Sequence, residues 1–180
     1  MNLSWLPNEA YEGHMTPSTE VLNFWTVVKS LTQYKRMLEI GFNAGHSSSM
    51  NLEMYSDISV TSYDISWHSY TENNASIVKN RFPDRFNFVK GSSLDLKPSD
   101  ITGKYDIMFI DGDHSYETCS SDIRLWMNSD IKYAIIDDFQ YEGIQRSFNE
   151  LLDNGRFSII HEQPYRASNG VPVEVKLIER

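Results

Sequence analysis

Short apolar runs alternate along this chain with stretches in which apolar residues recur at helical spacing. The runs have the length and the β-branched content of buried strands, and the periodic stretches have the pattern of helices that cover one face. They predict strands at 36–41, 58–64, 86–90, 105–111, 133–137, 156–161 and 173–178. They predict helices at 17–33, 47–56 and 70–81, one from 116, and one marked by Ile144 and Phe148 that stops at Asn154-Gly155.

The order of these elements, strand alternating with helix, predicts an α/β protein with a mostly parallel sheet. The last two strands leave little room for a helix between them, which favours an antiparallel pair. Start signals accompany several helices. Thr16-Pro17 is typical of an N-cap followed by a first-turn proline, Ser69 and Glu72 form a capping-box pattern, and Ser115 can cap the next helix.

Composition narrows the functional classes. The 180 residues predict one domain, and the net charge of −9 argues against binding to a nucleic-acid backbone. The single Cys119 cannot form an intramolecular disulfide, which fits a reducing compartment. Neither a transmembrane run nor a basic and apolar leader is visible, so we expect a soluble, cytoplasmic protein without a membrane partner.

The segment 37–49, MLEIGFNAGHSSS, combines a strand, two glycines and serines that can start a helix. Such a turn forms a ligand cradle at the carboxyl end of a strand. Asn43 breaks the dinucleotide-binding pattern Gly-x-Gly-x-x-Gly, and a phosphate-binding loop would need a lysine. What remains, Glu39-x-Gly41-x-x-x-Gly45, resembles the first motif of class I S-adenosylmethionine (SAM) dependent methyltransferases. The resemblance implies cofactor-binding roles for Glu39, Gly41, Asn43 and Gly45; an ordinary strand-to-helix turn is the alternative.

Two later residues fit the same cradle. Asp64 ends the second predicted strand, where a carboxylate can accept both hydroxyls of a ribose; a turn or helix-dipole aspartate is the alternative. Ser92 follows the third strand and resembles the position that faces the adenine in methyltransferases, although a plain turn serine would look the same.

The segment 111–117, DGDHSYE, resembles the signature of the family that includes macrocin-type sugar O-methyltransferases. Asp111 ends one predicted strand, and Asp137 and Asp138 end the next, so three carboxylates should meet at one rim. Negative charges so near to one another favour a bound cation. Oxygen ligands suit Mg²⁺ first, with Ca²⁺ or Mn²⁺ as alternatives. The arrangement resembles catechol O-methyltransferase and its relatives, although asparagine commonly stands there where this chain has Asp138.

His114 stands where those relatives place a basic lysine, three residues after the first aspartate. An imidazole titrates near neutrality and suits general-base work, so His114 and Asp111 are the predicted catalytic residues; the alternative for His114 is a residue that only orients a carboxylate. The resemblance also implies a cofactor-binding role for Asp111.

The resemblance covers nearly the whole chain from about residue 35 onward. It implies a Rossmann-like, seven-stranded, mostly parallel sheet with helices on both faces and an antiparallel last strand. Within one compact domain, 1–34 would be an amino-terminal arm and helix that pack on the core, and 35–180 the methyltransferase domain.

The implied activity is metal-assisted O-methylation of a small hydroxylated molecule such as a sugar, a phenol or a diol. A metal-dependent hydroxylase-like relative and a non-catalytic SAM-binding module are the alternatives. The predicted partner is the small-molecule acceptor, and assembly into a homo-oligomer is left open.

Overall fold

The computed structural model describes residues 1–7, 14–152 and 156–180, and within them seven strands form one sheet. The strands are β1 (Arg36–Ile40), β2 (Ser59–Asp64), β3 (Phe86–Lys90), β4 (Ile107–Ile110), β5 (Tyr133–Ile136), β6 (Ser158–Arg166) and β7 (Pro172–Glu179). The helices are α1 (Thr19–Thr32), α2 (His46–Met54), α3 (Thr71–Arg81), α4 (Pro98–Ile101), α5 (Tyr116–Met127) and α6 (Glu142–Leu152), with a 3-10 turn at Ser93–Asp95. The predicted helix stop at Asn154-Gly155 lies outside the described residues.

The strand order across the sheet is β3-β2-β1-β4-β5-β7-β6. Strands β1 to β5 are parallel, while β7 runs antiparallel to both β5 and β6. The predicted fold class is therefore confirmed. The chain leaves β1 towards β2 and β3 and then returns to place β4 on the other side of β1. Such a reversal opens a crevice at the carboxyl ends of the central strands.

Two apolar cores lie on the two faces of the sheet. Successive residues of β4 alternate between them: Phe109 belongs to the core under α1, α2 and α3, whereas Ile110 belongs to the core under α4, α5 and α6. This alternation follows the two-residue period of a strand. On the first face the ring of Trp25 in α1 meets the ring of Phe109 edge-on, with centroids 5.5 Å apart. The sheet is therefore covered on both sides, and only its strand ends are open to a ligand.

The helix starts agree only in part with the sequence signals. The Ser115 hydroxyl caps α5 as predicted and accepts the backbone N–H of Thr118 at 3.3 Å. The N-cap of α1 is Ser18, not Thr16, because the Ser18 hydroxyl is the group that accepts a first-turn N–H. The capping box at Ser69 is also wrong: the side chain of Glu72 pairs with Lys90 of β3 at 2.6 Å instead of turning back to the helix start.

Strand β6 continues to Arg166, five residues beyond the predicted end at 161. It contains Pro164, a residue that interrupts most strand patterns because it lacks a backbone N–H. Since β6 is the edge strand of the sheet, Pro164 is tolerated there. Among the helices of the described segments, none combines the length and apolarity that a membrane span requires.

Candidate functional site

One cavity of about 770 Å³ opens at the carboxyl ends of β1, β2, β4 and β5. All of the predicted site residues except Glu39 contribute to its wall. These residues are Gly41, Asn43, Gly45, Asp64, Ser92, Asp111, His114, Asp137 and Asp138. The sheet thus brings the glycine turn and the acidic strand ends, which are far apart in the sequence, into one concave site.

The glycine turn after β1 needs its glycines for steric reasons. Gly41 has φ +92°, and a Cβ added there would lie 2.0 Å from the carbonyl oxygen of Asp111. Gly45 has φ +84°, and a Cβ there would lie 2.3 Å from the ring of Phe42. Asn43, between them, also has a positive φ of 49°. Both glycines are therefore required by close contacts within the protein, and both also line the cavity.

Asp64, at the end of β2, holds this turn in place. One of its carboxylate oxygens accepts the backbone N–H groups of Phe42 at 2.9 Å and Asn43 at 2.8 Å, and the other accepts that of Ser66 at 2.6 Å. A carboxylate has about four acceptor positions, so capacity remains for a ligand hydroxyl. Its ribose-binding role stays a prediction. The same holds for Ser92, whose hydroxyl accepts the N–H of Leu94 at 3.2 Å at the edge of the cavity.

Glu39 lies beneath the turn and not in the cavity wall. Its side chain is fully buried, and its carboxylate accepts the hydroxyls of Ser47 and Ser48 at 2.5 Å and also that of Ser62. Burial raises the pKa of Glu39, and the three hydroxyls partly offset that effect. The placement corrects the expected role: Glu39 supports the turn from below instead of facing a ligand.

The same contacts change the interpretation of the serines at the start of α2. Their hydroxyls were expected to accept backbone N–H groups, but those of Ser47 and Ser48 donate to Glu39. The N-cap of α2 is Gly45, which has no side chain to cap the helix. Gly45, His46 and Ser47 at this helix start also line the cavity.

Three side chains that follow β4 and β5 form a compact group in the cavity wall. Asp111, His114 and Asp138 each offer one donor atom, and these atoms all lie within 4.8 Å of one another. Nε2 of His114 lies 2.9 Å from a carboxylate oxygen of Asp138. Burial raises the pKa of Asp111 well above its usual range, and the neighbouring charges of Asp137 and Asp138 add to that shift. The group therefore concentrates negative charge that a cation would neutralise.

Asp137 lies next to this group but is not part of it, and both of its carboxylate oxygens have other hydrogen-bond partners. One carboxylate oxygen accepts the N–H of Asp138 at 2.9 Å, and the other accepts the hydroxyl of Tyr165 at 2.8 Å. Burial, followed by the charge of Asp138, raises the pKa of Asp137 to about 7. Its role as a metal ligand stays a prediction, while His114 enters the candidate ligand group in its place.

His114 is held on two sides. Its ring stacks on that of Tyr141 with centroids 4.3 Å apart, and Nε2 faces Asp138. Burial lowers the pKa of His114, but the hydrogen bond and charge of Asp138 outweigh burial, so the pKa is raised overall. Two carboxylates and an imidazole suit a divalent cation that tolerates nitrogen, such as Mn²⁺, as well as Mg²⁺. The group, as far as the described residues show, contains one histidine, which does not make the two-histidine iron site of a hydroxylase.

The amino-terminal arm also reaches the cavity. The backbone N–H of His14 donates to the Ser168 hydroxyl at 3.1 Å, and the backbone N–H of Ser168 donates to the carbonyl of His14 at 2.9 Å. The His14 ring stacks on that of His46, with centroids 3.5 Å apart. Burial, with a smaller contribution from His14, lowers the pKa of His46 to about 3. The arm thus joins the β6–β7 turn to the start of α2 across one edge of the site.

Sequence reasoning missed one buried acid in the wall, Asp122 of α5. Its side chain is 1% exposed, and burial raises its pKa to about 6. The Ser93 hydroxyl lies close enough to lower that pKa, yet neither carboxylate oxygen makes a hydrogen bond of ordinary geometry to any residue that the structure describes. The signal was available: Asp122 lies on the helix face that Cys119 and Ile123 bury, where an acid is out of place.

One known protein family resembles this chain. The profile of a protein family described as "Methyltransferase domain" matches residues 38–136, a span that includes the glycine turn, Asp64, Asp111 and His114 but ends before Asp137. No curated protein matches the chain.

Solved structures with a similar fold include an O-methyltransferase from Bacillus cereus in complex with SAH, at 18% identity, a TM-score of 0.69 and coverage of 98% of this chain and 86% of that one. The O-methyltransferase TomG from Streptomyces achromogenes, involved in tomaymycin synthesis and in complex with SAM, is 17% identical with a TM-score of 0.69, covering 91% and 81%. Cofactor-bound Rv0187 from MTB is 18% identical with a TM-score of 0.71, covering 97% and 83%. At such identities the likeness establishes the fold alone.

Proposed function

The chain belongs to the family of methyltransferase domains, and from that membership we propose that it transfers the methyl group of SAM to an oxygen of a small hydroxylated molecule, with a divalent cation at the acidic rim. The observation that carries this proposal is the single cavity, which joins the glycine turn to the group formed by Asp111, His114 and Asp138. The structures of similar fold with bound SAM or SAH support the choice of cofactor.

Two parts of the cavity wall have separate roles in this proposal: the glycine turn with Asp64, and the acidic rim. Bound SAM supplies a methyl group that its sulfonium makes electrophilic, so no covalent enzyme intermediate is required. The glycine turn at Gly41 and Gly45 would border the cofactor, and Asp64 offers its remaining acceptor capacity to the ribose. With the cofactor and the acceptor held in the same cavity, positioning of the acceptor would supply much of the rate acceleration.

At the acidic rim, the carboxylates of Asp111 and Asp138 would hold the cation, whose chemistry there is to lower the pKa of a substrate hydroxyl. The raised pKa of Asp111 marks the charge that such an ion would offset. The net charge of −9 supports a small molecule over a nucleic acid as the acceptor.

His114 takes the proton of the acceptor hydroxyl in this proposal. Asp138 faces Nε2 and Tyr141 stacks on the ring, so the imidazole is fixed in one plane and its cationic form is stabilised. Both contacts suit a general base that is held by a carboxylate.

Calorimetric titration with SAH, first with Mn²⁺ or Mg²⁺ and then with a chelator, tests the cofactor and the metal separately. We expect micromolar binding of SAH and a separate heat for the metal. With SAM in place of SAH, we expect methylation of diols or sugars offered as acceptors. Asp64→Ala should weaken SAH binding at least about tenfold, because a buried hydrogen bond to a charged group is lost. Asp57→Asn is the matched control, since Asp57 pairs with Lys29 away from this cavity.

His114→Ala separates the two roles open to that residue. As the base, His114 affects turnover while the metal affinity stays near that of the unaltered protein. If the metal affinity falls with turnover, His114 is a ligand and not the base. A protein that fails to bind SAH in either buffer would contradict the proposal and bring forward the hydroxylase alternative, whereas SAH binding without methylation of any acceptor would favour the non-catalytic SAM-binding module.

A further inference from the structure

Asp122 occupies a position in the cavity wall for which the proposed methyl transfer gives no task. It lies on the inner face of α5, close to Gly112, where an added Cβ would come within 3.8 Å of a carboxylate oxygen of Asp122. The 3-10 turn at Ser93–Asp95 packs against the same helix. The carboxylate is thus enclosed by protein on one side and borders the cavity on the other.

A buried carboxylate is costly when no donor satisfies it. In folded proteins the large majority of buried polar atoms have a hydrogen-bond partner, and those that lack one need an explanation. Both oxygens of Asp122 lack such a partner within the described part of the chain. Because the side chain also lines the cavity, the missing donor is expected to come from what binds there.

Other residues of the same cavity wall indicate which part of a ligand reaches Asp122. The wall includes Ile65 and Leu94, two large apolar side chains that remain 57% and 56% exposed, and Leu94 lies on the 3-10 turn that packs against α5. Exposed apolar side chains in a concave wall suit a flat aromatic ring, and an acceptor in the same wall suits a ring that carries a donor. In the proposed function the glycine turn and Asp64 serve the amino-acid and ribose parts of SAM.

We propose that Asp122 accepts a hydrogen bond from the exocyclic amine of the adenine of SAM and thereby selects adenine over other purines. The inference rests on the proposed function. The hydrogen-bond donors of SAM are its ammonium, its ribose hydroxyls and the adenine amine. With the first two assigned to the glycine turn and to Asp64, the amine is the donor left for a carboxylate, which can only accept.

The test compares two ligands on several variants by calorimetry: SAH, and its analogue in which purine, without the 6-amino group, replaces adenine. The unaltered protein should prefer SAH at least about tenfold, the value of a buried hydrogen bond to a charged group. Asp122→Ala should reduce that preference to about one, because only the adenine ligand loses a contact. Asp122→Asn keeps the shape and a neutral acceptor, so its preference should lie in between.

Asp95→Asn is the matched control, since Asp95 is an exposed acid on the neighbouring turn and lies outside the cavity wall; it should keep the full preference. A purely structural role for Asp122 would weaken both ligands equally and leave the preference unchanged, which would overturn the proposal. If Asp122→Ala does not fold, Asp122→Asn decides by the same ratio. Failure of the unaltered protein to bind either ligand would reject the proposed function as well, whereas strong SAH binding with an unchanged ratio would reject only the role of Asp122.

Discussion

Glu39 and Asp122 are both carboxylates buried next to the same cavity, and they differ in what surrounds them. Glu39 is fully buried and accepts the hydroxyls of Ser47, Ser48 and Ser62, so its charge is satisfied within the protein. Asp122 is 1% exposed, and neither of its oxygens has such a donor among the described residues. Only Asp122 borders the cavity.

The difference separates acids that belong to the fold from acids that belong to the site. A buried carboxylate with a complete set of hydrogen-bond donors stabilises the fold, and its removal leaves those donors unpaired. A buried carboxylate without donors costs free energy in the empty protein and regains it only when a ligand binds. Asp111 belongs with the acids of the site for a different reason: it is only partly buried, it lines the cavity, and the charges of Asp137 and Asp138 add to the rise in its pKa that burial causes. Functional sites typically hold such perturbed groups.

The largest effect is expected at the satisfied acid. Glu39→Ala removes the acceptor of three buried hydroxyls and leaves a small void, so we expect a loss of about 3 kcal/mol in the free energy of unfolding. Urea denaturation measures it. Glu53→Ala is the control; it lies on α2, the helix that carries Ser47 and Ser48, and it forms a surface ion pair with Arg81, which is worth less than about 1 kcal/mol. Equal losses in the two variants would contradict a structural role for Glu39.

The sequence predicted the fold well because the signals for it are local. Strand β3 begins and ends at the predicted residues, and β4 was recognised from its apolar run because both of its faces are buried. The prediction ended β6 too early. A strand can contain a proline such as Pro164 when it lies at the edge of the sheet, and that position is a property of the whole topology. The capping box predicted at Ser69 was wrong because Glu72 pairs with Lys90, a residue distant in the sequence.

The part of the site that depends on strand topology alone could be predicted from the sequence. Parallel neighbouring strands bring their carboxyl ends together, so Asp111 and Asp138 could be expected at one rim. Local pattern could not show that Tyr165 donates a hydrogen bond to Asp137, or that serine hydroxyls donate to Glu39, because those contacts depend on side-chain directions in the folded state. Asp122 was visible only as an acid on an apolar helix face.

A smaller effect is expected at the unsatisfied acid, and it depends on pH. The pKa of Asp122 is about 6 in the folded protein against 3.8 when exposed, so between these pH values the folded state binds more protons than the unfolded state. The contribution of Asp122 to stability is therefore present below pH 4 and is lost as the pH rises towards 6. Asp122→Asn lacks this titration, so its stability relative to the unaltered protein should increase by roughly 2 kcal/mol between pH 4 and pH 7.

Urea denaturation of both proteins in chelator, at pH 4 and at pH 7, gives this difference directly. Groups that titrate in both proteins cancel in the comparison. A difference that does not change with pH would mean that the Asp122 carboxyl titrates as an exposed one does, and would remove it from the class of unsatisfied acids.

The smallest effect has the opposite sign to that at Glu39. Asp111→Asn removes one charge from a crowded rim while keeping the side-chain shape, so in chelator we expect the variant to be more stable than the unaltered protein by about 1 kcal/mol. With Mn²⁺ or Mg²⁺ the order should reverse, because an ion that binds only the folded protein stabilises it, and the variant lacks a ligand. Thermal denaturation with and without metal measures both terms.

Asp113→Asn is the control for this reversal, since Asp113 lies beside the rim but outside the candidate ligand group. Its pKa is lowered by the Ser115 hydroxyl, so removing the charge should slightly destabilise the protein and leave the metal response intact. If Asp111→Asn is less stable in chelator, the rim acids are satisfied as Glu39 is, and the distinction between fold acids and site acids fails at Asp111. If Asp111→Asn is more stable in chelator but neither protein responds to metal, the charge of Asp111 serves a ligand other than a cation. The cation must then be removed from the proposed mechanism.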